Sequence, residues 1–125
     1  MTTPPDDDAR FIQQLPYRRL DAFAVASEVL TLANEIAGSL PRGYAPLADQ
    51  LRRSSQSAYL QTTEGSARFG ADQRARLLNA RAEAVEAAST AEGIAMLKLV
   101  ESDKCWRLVG RCARLAAILM GMARR

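Results

Sequence analysis

At 125 residues, 48% hydrophobic and 25% charged, the chain has the size and balance of one globular domain with a single core. No apolar run approaches the roughly 18 residues of a membrane span, the longest being Ala116 to Ala123, and the acidic, proline-bearing start lacks the pattern of a secretion signal. Net charge is +3, and setting aside Asp6, Asp7 and Asp8 leaves 17 basic against 11 acidic side chains, or +6, a mild excess that suits a polyanionic partner without requiring one.

Alanine and leucine dominate, aromatics are 6%, and β-branched residues are scarce, so the composition favours helix. Residues 1–16 are expected to form a flexible tail, with Phe11, Ile12 and Leu15 available to pack back onto the body. Residues 17–125 are expected to form the folded domain. Asp21 is placed to cap a first helix running to Gly38, whose apolar positions Phe23, Ala26, Leu30, Ala33 and Ala37 lie beside Val25, Val29, Leu32 and Ile36. That stripe is wider than one seam. Gly38 ends the helix and residues 39–43 form a turn.

The second helix starts near Tyr44 to Pro46, with the proline tolerated in its first turn, and runs to about Ala67. The face that should be apolar there is made of Ser, Ala and Thr, small residues that let a neighbouring backbone approach. After Gly70, Asp72 lends its charge to the first turn of a third helix reaching about Val100. Its inward face reads Leu77, Ala80, Ala84, Ala87, Ala91 and Ile94, which predicts a close contact with the small-residue face of the second helix. Ser102 and Asp103 open a last helix with a heptad seam of Cys105, Leu108, Cys112, Leu115, Leu119 and Met122. Beside the seam runs a second apolar line of Trp106, Val109, Ala113, Ala116 and Met120. Four helices joined by short turns predict an all-α, antiparallel, up-down-up-down four-helix bundle. The second line on the last helix and the wide stripe on the first predict a further buried surface, and so a homo-oligomer.

Leu51 to Gly65 also resembles the signature segment of a family, the small four-helix bundle proteins encoded in intervening sequences of bacterial large-subunit ribosomal RNA genes. The accessory proteins of diversity-generating retroelements are their relatives. The family pattern runs roughly Leu-Arg-Arg-Ala-x-x-Ser-Ile-Pro-x-Asn-Ile-Ala-Glu-Gly. Leu51, Arg52, Arg53, Ser57, Glu64 and Gly65 fit it; Tyr59 stands at the proline and Gln61 at the asparagine. Further on, Ala80, Arg81 and Glu86 fit, while Ala82 and Glu83 stand where Gly-Ser is usual. The resemblance spans about Tyr17 to Met122. It implies a cyclic homopentamer with a basic surface, binding structured RNA or a complex of RNA with a reverse transcriptase, and a structural role for Ser57, Glu64, Gly65 and Glu86.

The chemistry-bearing residues point the same way. Lys104, Arg107, Arg111 and Arg114 dominate the last helix, and positions 107, 111 and 114 project from one side. Guanidinium forks in such a row can track a phosphate backbone. Arg52, Arg53 and Arg68 are candidates to extend that patch towards RNA or DNA. The competing role for the row is a solvated face, or pairing with Glu83, Glu86 or Glu92, in an oligomeric structural or adaptor protein. Aromatic stacking platforms are missing, so binding would be electrostatic and weakly selective.

Catalysis finds little footing. With no histidine in the chain, a two-metal Glu-x-x-His site is excluded, and Ser54, Ser55, Ser57 and the two cysteines lack a histidine base. Cys105 sits in a helix first turn, a place that lowers a thiol pKa, although its seam position assigns it to the core. Cys105 and Cys112 are about 10 Å apart along the axis, too far to bridge each other, which fits a reduced cytoplasmic setting. No catalytic residue, metal or cofactor is implied.

Overall fold

The computed structural model describes residues 6–125. Those residues are all-α, without a strand. A 3-10 turn at Asp6–Asp8 leads into a short helix α1 (Ala9–Ile12), and four long helices follow: α2 (Asp21–Gly38), α3 (Ala45–Ser66), α4 (Gly70–Met96) and α5 (Ser102–Ala123). Within the segment expected to be a flexible tail, residues 6–12 take helical form and Arg10 lies over the Phe11 ring. Phe11 and Leu15 remain exposed rather than folding back. Thr2 to Pro5 lie outside the described residues.

Helix α2 packs against α3 and α5, and α4 packs against the same two. This arrangement accounts for the wide stripe on α2. Ala22, Val25, Ala26, Val29, Ala33, Ile36 and Ala37 are buried within the chain because two neighbours, rather than one, cover that helix. Phe23, Leu30 and Leu32, the rest of the expected stripe, are only half-buried. On α5 the seam is buried as expected through Leu119, but Ala123 takes the last buried place and Met122 is only half-buried.

The contact between α3 and α4 carries the small residues. Helix α4 buries Leu77, Ala80, Ala84, Ala87, Ala91 and Ile94, the face that the 3.6-residue period selects. Helix α3 buries Ser54, Ser55 and Thr62 beside Ala48, Leu51, Ala58 and Gly65, and Ser55 lines a hollow with Leu30 and Asn34 of α2. Buried hydroxyls are tolerable only when hydrogen-bonded. Each is satisfied within α3: Ser54 Oγ donates to the Gln50 carbonyl at 3.0 Å, Ser55 Oγ to Arg52 at 3.1 Å, and Thr62 Oγ1 to Ala58 at 2.7 Å. Near the end of α3, a Cβ added to Gly65 would lie 2.9 Å from Leu77 Cδ2 and 3.3 Å from Arg76 Cβ. Glycine is required there by proximity, since no larger residue fits between the two helices unless one gives way.

Helix boundaries depart from the expected caps. Asp21 is the first helical residue and Leu20 the N-cap; likewise Ser102 is helical and Glu101 is the N-cap, with no side-chain capping bond at either. Helix α4 stops at Met96 rather than near Val100. Lys98 adopts a left-handed φ of 58°, its N–H bonding the Ala95 carbonyl at 3.0 Å while Leu99 N–H bonds Ile94 at 3.2 Å. That paired pattern is a Schellman stop with lysine where glycine is usual.

Candidate nucleic-acid interface

The structure separates the sequence-predicted cations into three groups. Arg53, on α3, reaches across to α4, where Glu83 and Glu86 both accept from its guanidinium, the Glu83 contact at 3.1 Å. Gln50 donates to the same Glu86 carboxylate at 2.8 Å. Glu86 is thereby assigned a partner, and Arg53 is tied to a helix pair rather than free for phosphate. Arg52 turns the other way, towards α2, and its Nε lies 3.4 Å from Asn34 Oδ1. Ser57 accepts from Gln61 Nε2 at 3.2 Å within α3.

The α5 row is divided as well. Lys104 Nζ lies 3.4 Å from Glu35 and Arg111 Nε 3.5 Å from Glu28, both carboxylates on α2. The expected pairing with Glu83, Glu86 or Glu92 is therefore replaced, because α2 flanks this face of α5 and Arg53 already engages two of those acids. Arg107 and Arg114 are exposed and have no carboxylate partner among the described residues. Arg52 and Arg53 sit on α3, which shares no substantial contact with α5. They cannot continue the α5 row.

Arg68 belongs to a third place, the end of the molecule where α3 finishes and α4 begins. It pairs with Asp72 at 3.3 Å, while Arg76 bonds Glu64 at 3.1 Å. Glu64 thus finds its partner in Arg76. The end of α5 is brought here too, since Arg74 Nη1 donates to the Ala123 carbonyl at 2.7 Å and satisfies one of the unpaired carbonyls of that helix terminus. A surface hollow of about 260 Å³ lies between Gly70, Arg74, Met122 and Arg125. A neighbouring hollow joins Arg19 and Asp21 at the start of α2 to Ile118, Met122 and the same Arg125.

One pole therefore gathers Arg18, Arg19, Arg68, Arg74, Arg76, Arg124 and Arg125 against Asp21, Glu64 and Asp72, a net +4. The rest of residues 17–125 carries nine cations against eight anions, or +1. Nearly all the charge excess of the helical body is thus concentrated at one end. Sequence spacing misses Arg19, Arg74 and Arg76 as members, because they come from separate helices and form no run. The doublets Arg18-Arg19 and Arg124-Arg125 are the only local signals.

Among the described residues no three Cys, Asp or Glu side chains gather into a metal-binding cluster, and no helix is long and apolar enough to cross a membrane. Burial pushes the Cys105 thiol up, opposite to the lowering a helix first turn would give, and pushes Cys112 up to about 12. Thiols held protonated in this way are core groups rather than nucleophiles.

No protein-family model matches the chain, and no curated protein matches it. The likeness of Leu51–Gly65 to the intervening-sequence proteins rests on the quoted residues alone.

Proposed function

We propose that this chain is a non-enzymatic RNA- or DNA-associated protein that holds phosphate backbones electrostatically at its basic pole. The observation that supports this reading is the net +4 at the meeting of the α2, α3, α4 and α5 termini. Guanidinium forks suit phosphate oxygens, and a concentrated single-sign patch attracts a polyanion over a Debye length of about 8–10 Å. Lys104, Arg111, Arg53 and Arg68 contribute less, since each already has a carboxylate beside it. The fold that fits the packing pairs is a closed, antiparallel, up-down-up-down four-helix bundle, assembled as the cyclic homopentamer that the family resemblance implies. Such a particle would present several basic poles to one nucleic acid, or to a reverse transcriptase bound to its RNA.

A second reading is favoured by one observation, the exposed Trp106 on α5. In it the chain is an oligomeric adaptor whose partners are proteins.

Fluorescence anisotropy with a hairpin RNA and a duplex DNA, at low and high salt, separates the two. An Arg19/Arg124/Arg125→Ser variant should bind more weakly at unchanged oligomer mass. Its log-affinity against log-salt slope on DNA should be shallower by about 0.9 for each phosphate that the variant no longer neutralises. Absence of binding at low salt refutes the nucleic-acid reading and leaves the adaptor. Salt-sensitive binding that the variant keeps in full refutes the pole as the contact surface.

A further inference from the structure

Helix α5 leaves an outward apolar line uncovered. Trp106 is 53% exposed, Ala113 is exposed, and Val109 and Met120 are half-buried. Arg107 and Arg114 flank that line, spaced about 10 Å apart along the helix, and neither has a carboxylate partner among the described residues. A large aromatic exposed beside two such arginines makes a receptive face, apolar along one side and positive along the other.

The matching element is at the other end of the chain. Phe11, in α1, and Leu15, in the turn after it, are 54% and 42% exposed. Asp6, Asp7 and Asp8 immediately before them are exposed and form no ion pair with a described residue. The arm thus exposes two large apolar side chains and carries three aspartates against the single Arg10, opposite in sign to the α5 arginines. An amphipathic segment of this kind binds by laying its apolar positions along a groove while its charges set the register.

We infer that the N-terminal arm of one copy docks on the α5 face of a second copy, with Phe11 and Leu15 against Trp106 and Ala113 and the aspartates against Arg107 and Arg114. The inference rests on the self-association part of the proposed function and supplies its contact. It does not depend on nucleic-acid binding. Where the arm is docked, its carboxylates occupy the two α5 arginines, so that phosphate is left the basic pole.

Light scattering on the full chain at 10–100 µM (roughly the range in which weak self-association registers) tests this, with circular dichroism confirming that each variant stays helical. The parent should be an oligomer. Phe11→Ser/Leu15→Ser and, separately, Trp106→Ser should each lower the mass. Asp6/Asp7/Asp8→Arg should lower it too, and adding Arg107→Asp/Arg114→Asp to that same chain should restore it by reversing both sides of the contact. A monomeric parent overturns the inference. So does an oligomer whose mass ignores both the arm and the Trp106 substitutions, or a reversed pair that fails to restore association. An oligomeric parent that binds no nucleic acid at low salt would overturn the phosphate reading alone.

Discussion

Replacing Gly65 with alanine is the sharpest test of the α3–α4 contact. The added methyl would stand 2.9 Å from Leu77 Cδ2, 3.3 Å from Arg76 Cβ and 3.4 Å from Leu77 Cγ. Leu77 is fully buried, and Arg76 Cβ is rooted in the backbone of α4, so relief requires a strained Leu77 rotamer or a shift of the whole helix. Overpacking of that kind costs about 1–3 kcal/mol. Against it, alanine gains about 0.5–1 kcal/mol over glycine through helix propensity. The net expectation is a loss of about 1 kcal/mol, which for a domain of this size lowers Tm by about 4–6 °C. Gly93 on α4 supplies the control, since a Cβ there meets nothing within 4 Å. Gly93→Ala should therefore stabilise by about 0.5–1 kcal/mol. Urea denaturation of both variants reads the difference, and in a Leu77→Ala background the Gly65→Ala penalty should shrink, exposing the coupling. If Gly65→Ala stabilised the protein as much as Gly93→Ala, the close approach of the two helices would be wrong.

Other substitutions probe separate links. Lys98→Gly should stabilise by about 1 kcal/mol, because lysine holds the left-handed conformation at a cost that glycine does not bear; an unchanged urea midpoint would contradict the Schellman stop. Leu115→Asp places an unpaired charge at a fully buried seam position and should abolish cooperative unfolding, while a parent-like melt would show the seam to be misassigned. Arg53→Ala should cost less than about 1 kcal/mol, since the Arg53 side chain is half exposed and its pairs with Glu83 and Glu86 are screened; a larger loss in denaturation would make that cluster a structural centre. Cys112 should resist a disulfide reagent at pH 9 in the folded protein and react once unfolded. With a folded thiol pKa raised to about 12, its contribution to stability is complete below pH 9 and is lost as pH climbs towards 12, because only the unfolded thiol ionises in that window. Rapid labelling without unfolding would contradict its burial.

How far the sequence carries depends on the range of each interaction. The α4 core face is legible residue for residue, because burial along one helix follows a 3.6-residue period that any single sequence displays. The Ser/Thr face of α3 is legible for a related reason: small hydroxyls bond to their own helix and need no partner from elsewhere. Helix starts are less so. Residue type points to Asp21 and Ser102 as caps, whereas the structure makes each the first helical residue, with Leu20 and Glu101 as N-caps and no side-chain capping bond.

The ion pairs show the limit most clearly. Charge alone offers Glu83 and Glu86 as partners for the α5 arginines, yet they accept from Arg53, while Lys104 and Arg111 turn to Glu35 and Glu28. A charge does not specify its partner. Partner choice follows from which helices lie side by side, and that order is a property of the packed chain.

What this sequence determined by itself was helix content and the inward faces of α4 and of most of α5, both consequences of local stereochemistry and of the period of burial. Only the tertiary structure decided that α2 spends its wide stripe on two neighbours and that α5 keeps an uncovered line around Trp106. It alone decided that Arg19, Arg74 and Arg125 meet at one pole. Those residues are separated by up to 106 positions in the chain, and no periodicity links them. They come together because the packing places the start of α2, the start of α4 and the end of α5 at the same end, and electrostatic fields add by distance in space.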